Sequence, residues 1–131
     1  MFEMKEEYYT GIAQIDEEHK ELFRIAREAY NVFQDNYIAD KFDNIVSIIE
    51  NLKQYAVTHF AHEEAYMESI GYKKRFSHKI EHVEFLEKLH EIDFEQMDHN
   101  QTGTLLDILE FLSNWLVNHI LENDKRIGQV E

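Results

Sequence analysis

Apolar residues return at steps of three and four along four stretches of this chain, which predicts four amphipathic helices. The first helix follows a run of acidic residues that begins at Asp16 and would supply its cap and first turn. The second helix is predicted over about 40–70, just before a glycine, and the third over about 74–97. A cap at Thr104 is predicted to begin the fourth helix.

Few residues interrupt these helices, because proline is absent and only four glycines are present. Short loops make successive helices antiparallel. The predicted fold is therefore all-α, an up-and-down antiparallel four-helix bundle with an extended N-terminal arm. At 131 residues the chain is predicted to form a single domain over residues 1–131, with the arm over 1–15 and the bundle over 16–127.

The apolar stripe of each helix turns polar at one end. The polar positions lie early in the first and third helices and late in the second and fourth, so an antiparallel bundle gathers them at one end. Without a metal, these groups would place charges and donors in a core at a cost of several kcal/mol. The set predicts a metal site made of five histidines and two carboxylates: His19, His59, Glu63, His78, His82, His119 and Asp124.

Imidazole and carboxylate groups bind first-row transition ions, and a carboxylate can bridge two of them. If both carboxylates and one solvent oxygen bridge two metals, the five imidazoles divide three to two, and one metal keeps an open position. Leu116 and Trp115, one turn from His119, are predicted as walls of a gas pocket, so the open position favours a small apolar gas. We expect dioxygen on two ferrous ions, although zinc, manganese or copper would also suit these ligands.

One spacing does not fit an ideal helix. His119 and Asp124 are five residues apart, about 140° around the helix axis. Two explanations remain open from the sequence: the helix widens into a π-type turn or frays at this point, or Asp124 reaches across from the last turn.

Composition narrows the classes of partner. The net charge of -14 disfavours nucleic acid and anionic membranes, because an acidic surface repels polyanions. No cysteine is present, which excludes thiolate ligands and disulfides. The first residues resemble neither a signal peptide nor a membrane span, so we expect a cytoplasmic protein, and we expect a monomer.

Four segments, in order, resemble the hemerythrin family and in particular its single-domain bacterial members: YTGIAQIDEEHKELF (9–23), HFAHEEAYM (59–67), GYKKRFSHKIEHVEF (71–85) and WLVNHILEND (115–124). The resemblance implies two iron ions, ferrous or ferric, with a bridging hydroxide or oxide. It implies a six-coordinate iron on His78, His82 and His119, an oxygen-binding iron on His19 and His59, and bridges from Glu63 and Asp124. In that family the last histidine and aspartate stand at the same separation as here.

The other three histidines are predicted to lie outside this ligand set. His62 is predicted to be a surface group or a partner of a ligand. His90 ends an ExxH motif of the kind found in ferritin-like proteins, but that site needs two copies, so a surface position is predicted. His99 is predicted to lie in a solvated loop.

The predicted function is reversible dioxygen binding for storage, delivery or sensing, without catalysis. Other small gases or anions could occupy the same open iron. Two alternatives stay open. One is an oxidase, peroxidase or nitric oxide reductase that uses this centre, with Tyr66 or His62 supplying protons or electrons. The other is a signalling or iron-handling module that acts through a partner chain.

Overall fold

The computed structural model describes residues 2–128, which are mainly helical and contain no strand. A short 3-10 helix, Glu6–Tyr8, lies in the N-terminal arm. The α-helices, in chain order, are α1 (Ala13–Gln34), α2 (Phe42–Ser69), α3 (Arg75–His90), α4 (Phe94–His99), α5 (Gln101–His119) and α6 (Lys125–Ile127). A π-helical turn, Ile120–Asp124, joins α5 to α6. Helix α1 packs against α2 and α5, and α2 packs against α3. The predicted all-α helical bundle is confirmed.

The apolar stripes that the periodicity predicted form the core of this bundle. Five members that illustrate it are fully or almost fully buried: Phe23, Ile49, Leu52, Phe85 and Leu112. Burying one such side chain stabilises the fold by about 1.5–3 kcal/mol. Within residues 2–128, no helix combines the length and the apolar character that crossing a membrane requires.

The third helix is shorter than predicted. It ends at His90, and the chain forms the separate helix α4 before α5 begins. The break follows from Asp93, whose extended backbone (φ -90°, ψ 107°) and side chain start a new helix. Its carboxylate accepts hydrogen bonds from the backbone N–H groups of Glu95 and Gln96. The expectation of one continuous helix over about 74–97 was wrong.

Two predicted helix starts also shift. Asn100, rather than Thr104, caps α5, since its side-chain oxygen accepts the Gly103 backbone N–H at 3.3 Å. The Thr104 hydroxyl instead donates to the Asn100 carbonyl from inside the helix. Helix α1 begins at Ala13, and Asp16 lies in its first turn.

Asp16 ties the N-terminal arm to α1. Its carboxylate accepts hydrogen bonds from the backbone N–H and the hydroxyl of Thr10 and from the Gly11 N–H. Farther along the arm, Tyr8 is buried and stacks on Phe23 at 5.4 Å between ring centroids. The arm is therefore packed on the bundle.

Candidate metal centre

All seven residues predicted as ligands meet inside one end of the bundle, each at most 4% exposed. The directions of the helices explain this, since the polar end of each stripe points to the same side. The contributions are His19 from α1, His59 and Glu63 from α2, His78 and His82 from α3, His119 from the end of α5, and Asp124 from the π-helical turn.

The π-helical turn accounts for the irregular spacing of the last two residues. A π-helix bonds residue i to residue i+5, so residues five apart lie on the same face. His119 Nε2 and Asp124 Oδ1 are 2.9 Å apart as a result. Of the explanations that the sequence left open, the π-type widening is confirmed.

Three imidazoles gather around a pair of oxygens, one from each carboxylate. Glu63 Oε1 lies 2.6 Å from His78 Nε2 and 3.0 Å from His82 Nε2. Asp124 Oδ1 lies 2.6 Å from His78 Nε2 and 2.9 Å from His119 Nε2. One candidate ligand atom from each of these five residues lies within 4.8 Å of all the others.

Two imidazoles gather around the other oxygens of the same carboxylates. Glu63 Oε2 lies 3.2 Å from His59 Nε2 and 3.7 Å from His19 Nε2, while Asp124 Oδ2 lies 2.9 Å from His19 Nε2. Each carboxylate thus places one oxygen in each group. This is the arrangement in which two carboxylates can bridge two cations.

Several buried polar atoms of the site lack hydrogen bonds, which fits a role as metal ligands. His19 Nε2, His119 Nε2 and Asp124 Oδ1 are buried without a hydrogen-bond partner, although other site atoms lie 2.9 Å or less away. A buried polar atom without a partner is costly, and most are satisfied in folded proteins. These atoms are close together but lack the angles of hydrogen bonds, as expected for ligands that surround a cation.

The electrostatics of the protein alone show how strongly the site attracts positive charge. Burial by itself raises the pKa of Glu63, but the imidazoles of His119 and His19 outweigh burial and hold this pKa well below its usual value. Burial lowers the pKa of His59 and of His78, but the carboxylates beside them raise both values to about 9. Protons therefore occupy these imidazoles at neutral pH until a cation displaces them.

Sequence reasoning missed a second ring of carboxylates that faces the outer nitrogens of these imidazoles. His59 Nδ1 lies 3.1 Å from Glu18 Oε1, and His82 Nδ1 lies 3.1 Å from Glu64 Oε2. When Nδ1 donates its hydrogen to a carboxylate, the Nε2 lone pair faces the centre of the site. The available signal was adjacency, since Glu18 precedes His19 and Glu64 follows Glu63.

The three remaining histidines, His62, His90 and His99, lie at the surface. The His62 side chain is 44% exposed, and its Nδ1 lies 2.6 Å from Glu18 Oε2. It is a surface group, as predicted, and it contacts the carboxylate behind His59 rather than a predicted ligand. His90 and His99 are exposed, but His99 ends α4 and does not lie in a loop.

Two aromatic rings lie flat against imidazoles of the three-histidine group. Phe60 stacks on His82 at 3.9 Å between centroids with 6° between planes. Trp115 stacks on His119 at 4.3 Å with 12° between planes. Leu116 is buried next to Trp115 in α5. The assignment of Leu116 and Trp115 as walls of a gas pocket stays a prediction.

Comparisons with known proteins show the family of this chain. The family model described as "Hemerythrin HHE cation binding domain" matches residues 10–129. The chain is 42% identical over 125 residues to the bacteriohemerythrin of Clostridium acetobutylicum, covering 95% of this chain and 97% of that protein. It is 35% identical to the bacteriohemerythrin of Pseudomonas aeruginosa, covering 88% and 71%. A crystal structure of wild-type hemerythrin aligns with a TM-score of 0.81 at 27% identity, covering 99% and 96%.

Proposed function

The chain belongs to the hemerythrin family, and on that premise we propose that it binds dioxygen reversibly at a carboxylate-bridged pair of iron ions. The observation that carries the proposal is the position of Glu63 and Asp124, each with one oxygen in each imidazole group. We assign His78, His82 and His119 to one iron and His19 and His59 to the other.

The unequal division of imidazoles supports a binding position on the second iron. Glu63, Asp124 and a bridging hydroxide or oxide would be shared, so three imidazoles complete six ligands on one iron and two leave a position on the other. When bound, the iron ions supply the electron density that dioxygen needs. The small ligands that we propose for this position are dioxygen and, in competition with it, other small gases or anions.

The chain's own residues orient the ligands and keep bulk water away. Glu18 and Glu64 hold His59 and His82 in the tautomer that presents Nε2 inward. Met67, Tyr72 and Ile127 form a small buried apolar cluster, in which Met67 and Ile127 follow Glu63 and Asp124 by about one helical turn in the chain. A dry site strengthens the electrostatic interaction between carboxylates and cations and slows the escape of a bound charge.

We further propose that the centre binds its ligand without catalysing its turnover. Of the two side chains considered as proton or electron suppliers, His62 contacts Glu18, and Tyr66 packs against the apolar cluster of Met67, Tyr72 and Ile127. Repeated turnover of oxygen with an added reductant, lost in His19→Ala, would assign an enzymatic role instead.

Elemental analysis with visible spectroscopy tests the proposed function. We expect about two irons per chain and, on mixing the ferrous protein with air, an absorption band that disappears when oxygen is removed. His19→Ala should abolish the band, whereas the exposed His90→Ala should keep it. One zinc per chain, or immediate irreversible oxidation of the ferrous protein, would overturn the proposal.

A further inference from the structure

An open cleft of about 800 Å³ lies between α3 and α5 and reaches the outer side of the candidate metal centre. We call it the α3–α5 cleft. Trp115, which is partly exposed, and His119, which is 4% exposed, both line it. The Nδ1 atom of His119 is buried and lies 3.4 Å from Oε2 of Glu81, another residue of the lining. The cleft therefore brings solvent within one aromatic ring of a proposed iron ligand.

The charged groups of the cleft are mostly acidic. Its lining contains four carboxylates and one ammonium group, from Glu81, Asp107, Glu110, Glu122 and Lys88. Glu122 is paired with Arg126 at 3.9 Å, so the three other carboxylates exceed the ammonium of Lys88 by two negative charges. An excess of one sign concentrates mobile ions of the opposite sign and speeds their encounter with the site. The α3–α5 cleft therefore attracts cations toward Trp115.

Trp115 is the aromatic contact between this cleft and the metal centre. Its ring lies nearly parallel to the His119 ring at 4.3 Å, so the two π systems are in van der Waals contact. Phe60 makes a similar stack on His82, but Phe60 is 3% exposed and does not line the cleft. Of these two stacked rings, Trp115 is the one that a molecule in solution can touch.

We propose that the α3–α5 cleft receives a cationic one-electron donor and that electrons pass from it through the Trp115 and His119 rings to the metal centre. This inference rests on the proposed di-iron function and adds a route for returning oxidised iron to the ferrous state. Two ferric ions accept two electrons from two donor molecules, which are each oxidised by one electron. No bond of Trp115 or His119 forms or breaks, because the rings only couple donor and acceptor.

The first test uses the metal-free protein and needs no iron chemistry. Trp115 is the one tryptophan of the chain, so its emission reports access to the cleft. We expect hexaamminecobalt(III) to quench it much more strongly than iodide. Asp107→Asn with Glu110→Gln should weaken the cationic quenching about threefold at low ionic strength.

Because the whole chain is acidic, the control must remove the same charge elsewhere. Asp43→Asn with Glu50→Gln changes two exposed carboxylates of α2 that do not line the cleft. This pair should leave the quenching of Trp115 nearly unchanged. Equal weakening by both double variants would overturn the cleft as the attracting feature.

The second test measures reduction of the diferric protein by hexaammineruthenium(II), with dithionite as an anionic comparator. We expect Asp107→Asn with Glu110→Gln to slow reduction by the ruthenium complex about fivefold and to leave reduction by dithionite no slower. The α2 control pair should slow the ruthenium reaction less than this cleft pair does. Trp115→Leu should slow the ruthenium reaction severalfold at unchanged iron content, and Trp115→Phe should keep most of the rate.

The outcomes separate this inference from the proposed function. The protein could hold two irons and bind oxygen reversibly while the rate of reduction by the ruthenium complex is the same in the cleft and Trp115 variants. In that case the electron route is wrong and the proposed function stands. If the chain does not hold two irons, the proposed function and the route fail together, while the quenching result still reports the charge of the cleft.

Discussion

Glu18→Gln tests whether the outer carboxylates tune the site. In the folded protein Glu18 accepts from His59 Nδ1 at 3.1 Å and contacts His62 Nδ1 at 2.6 Å. Burial by itself raises the pKa of Glu18, but its contacts with His59 and His62 outweigh burial and lower it, so the carboxylate is ionised at neutral pH. Glutamine keeps the shape and one acceptor oxygen but removes the charge that makes the His59 nitrogen a stronger ligand.

The size of the effect follows from that single lost charge. Removing the hydrogen-bond partner of a metal-binding histidine weakens metal affinity by about 10–100-fold, and glutamine retains a neutral hydrogen bond, so we expect the lower end of this range. About tenfold corresponds to about 1.4 kcal/mol. The loss should fall on the ion held by His19 and His59, since His59 is the imidazole that Glu18 contacts.

Competition with a chelator, followed by absorbance, measures this affinity. Glu17→Gln is the matched control, because its side chain is 72% exposed and pairs with the surface residue Lys20. His62→Ala separates the two contacts of Glu18 and should leave affinity close to that of the unchanged protein. Equal affinities for Glu18→Gln and Glu17→Gln would contradict this prediction, because the charge behind His59 would then have no effect on metal binding.

Three further predictions concern stability. In the folded metal-free protein the pKa of His59 and of His78 is raised from 6.5 to about 9, so folding favours their protonated forms. The urea midpoint of the metal-free protein should therefore fall as pH rises from about 6 to 9, and it should change less once metal is bound. Phe60→Ala should cost about 3–5 kcal/mol in urea denaturation against about 0.5 kcal/mol for the exposed Val57→Ala; similar losses would contradict the packing argument. Gly71→Ala should cost about 1–2 kcal/mol because its φ is +64°, and Gly71→Asn less; equal losses would point to another cause.

Much of the fold was predictable because helical periodicity is local. Residues three and four apart share a face whatever the rest of the chain does. The buried stripes through Leu22, Leu52 and Leu112 were therefore correct in advance. The boundaries were less so, because Asp93 and Asn100 offer side-chain caps that compete with a continuing helix, and periodicity does not rank these alternatives.

The candidate metal centre, like the fold, was predictable only in part. That five imidazoles and two carboxylates share one end of an antiparallel bundle was predictable from the sequence, since this needs only spacing and helix direction. Counting also anticipated a three-to-two division. The spacing of His119 and Asp124 stayed ambiguous, because an ideal helix and a π-helical turn place a residue five positions away on different faces.

Which atoms of the site face each other is set by the packing of the helices. The two oxygens of Glu63 turn to different imidazole groups, Glu18 reaches His59 on another helix, and Trp115 covers His119 beside an acidic cleft. These relations depend on how far each helix is rotated about its axis and how the helices cross. Core packing sets both, through contacts between residues far apart in the chain, so no local pattern encodes them.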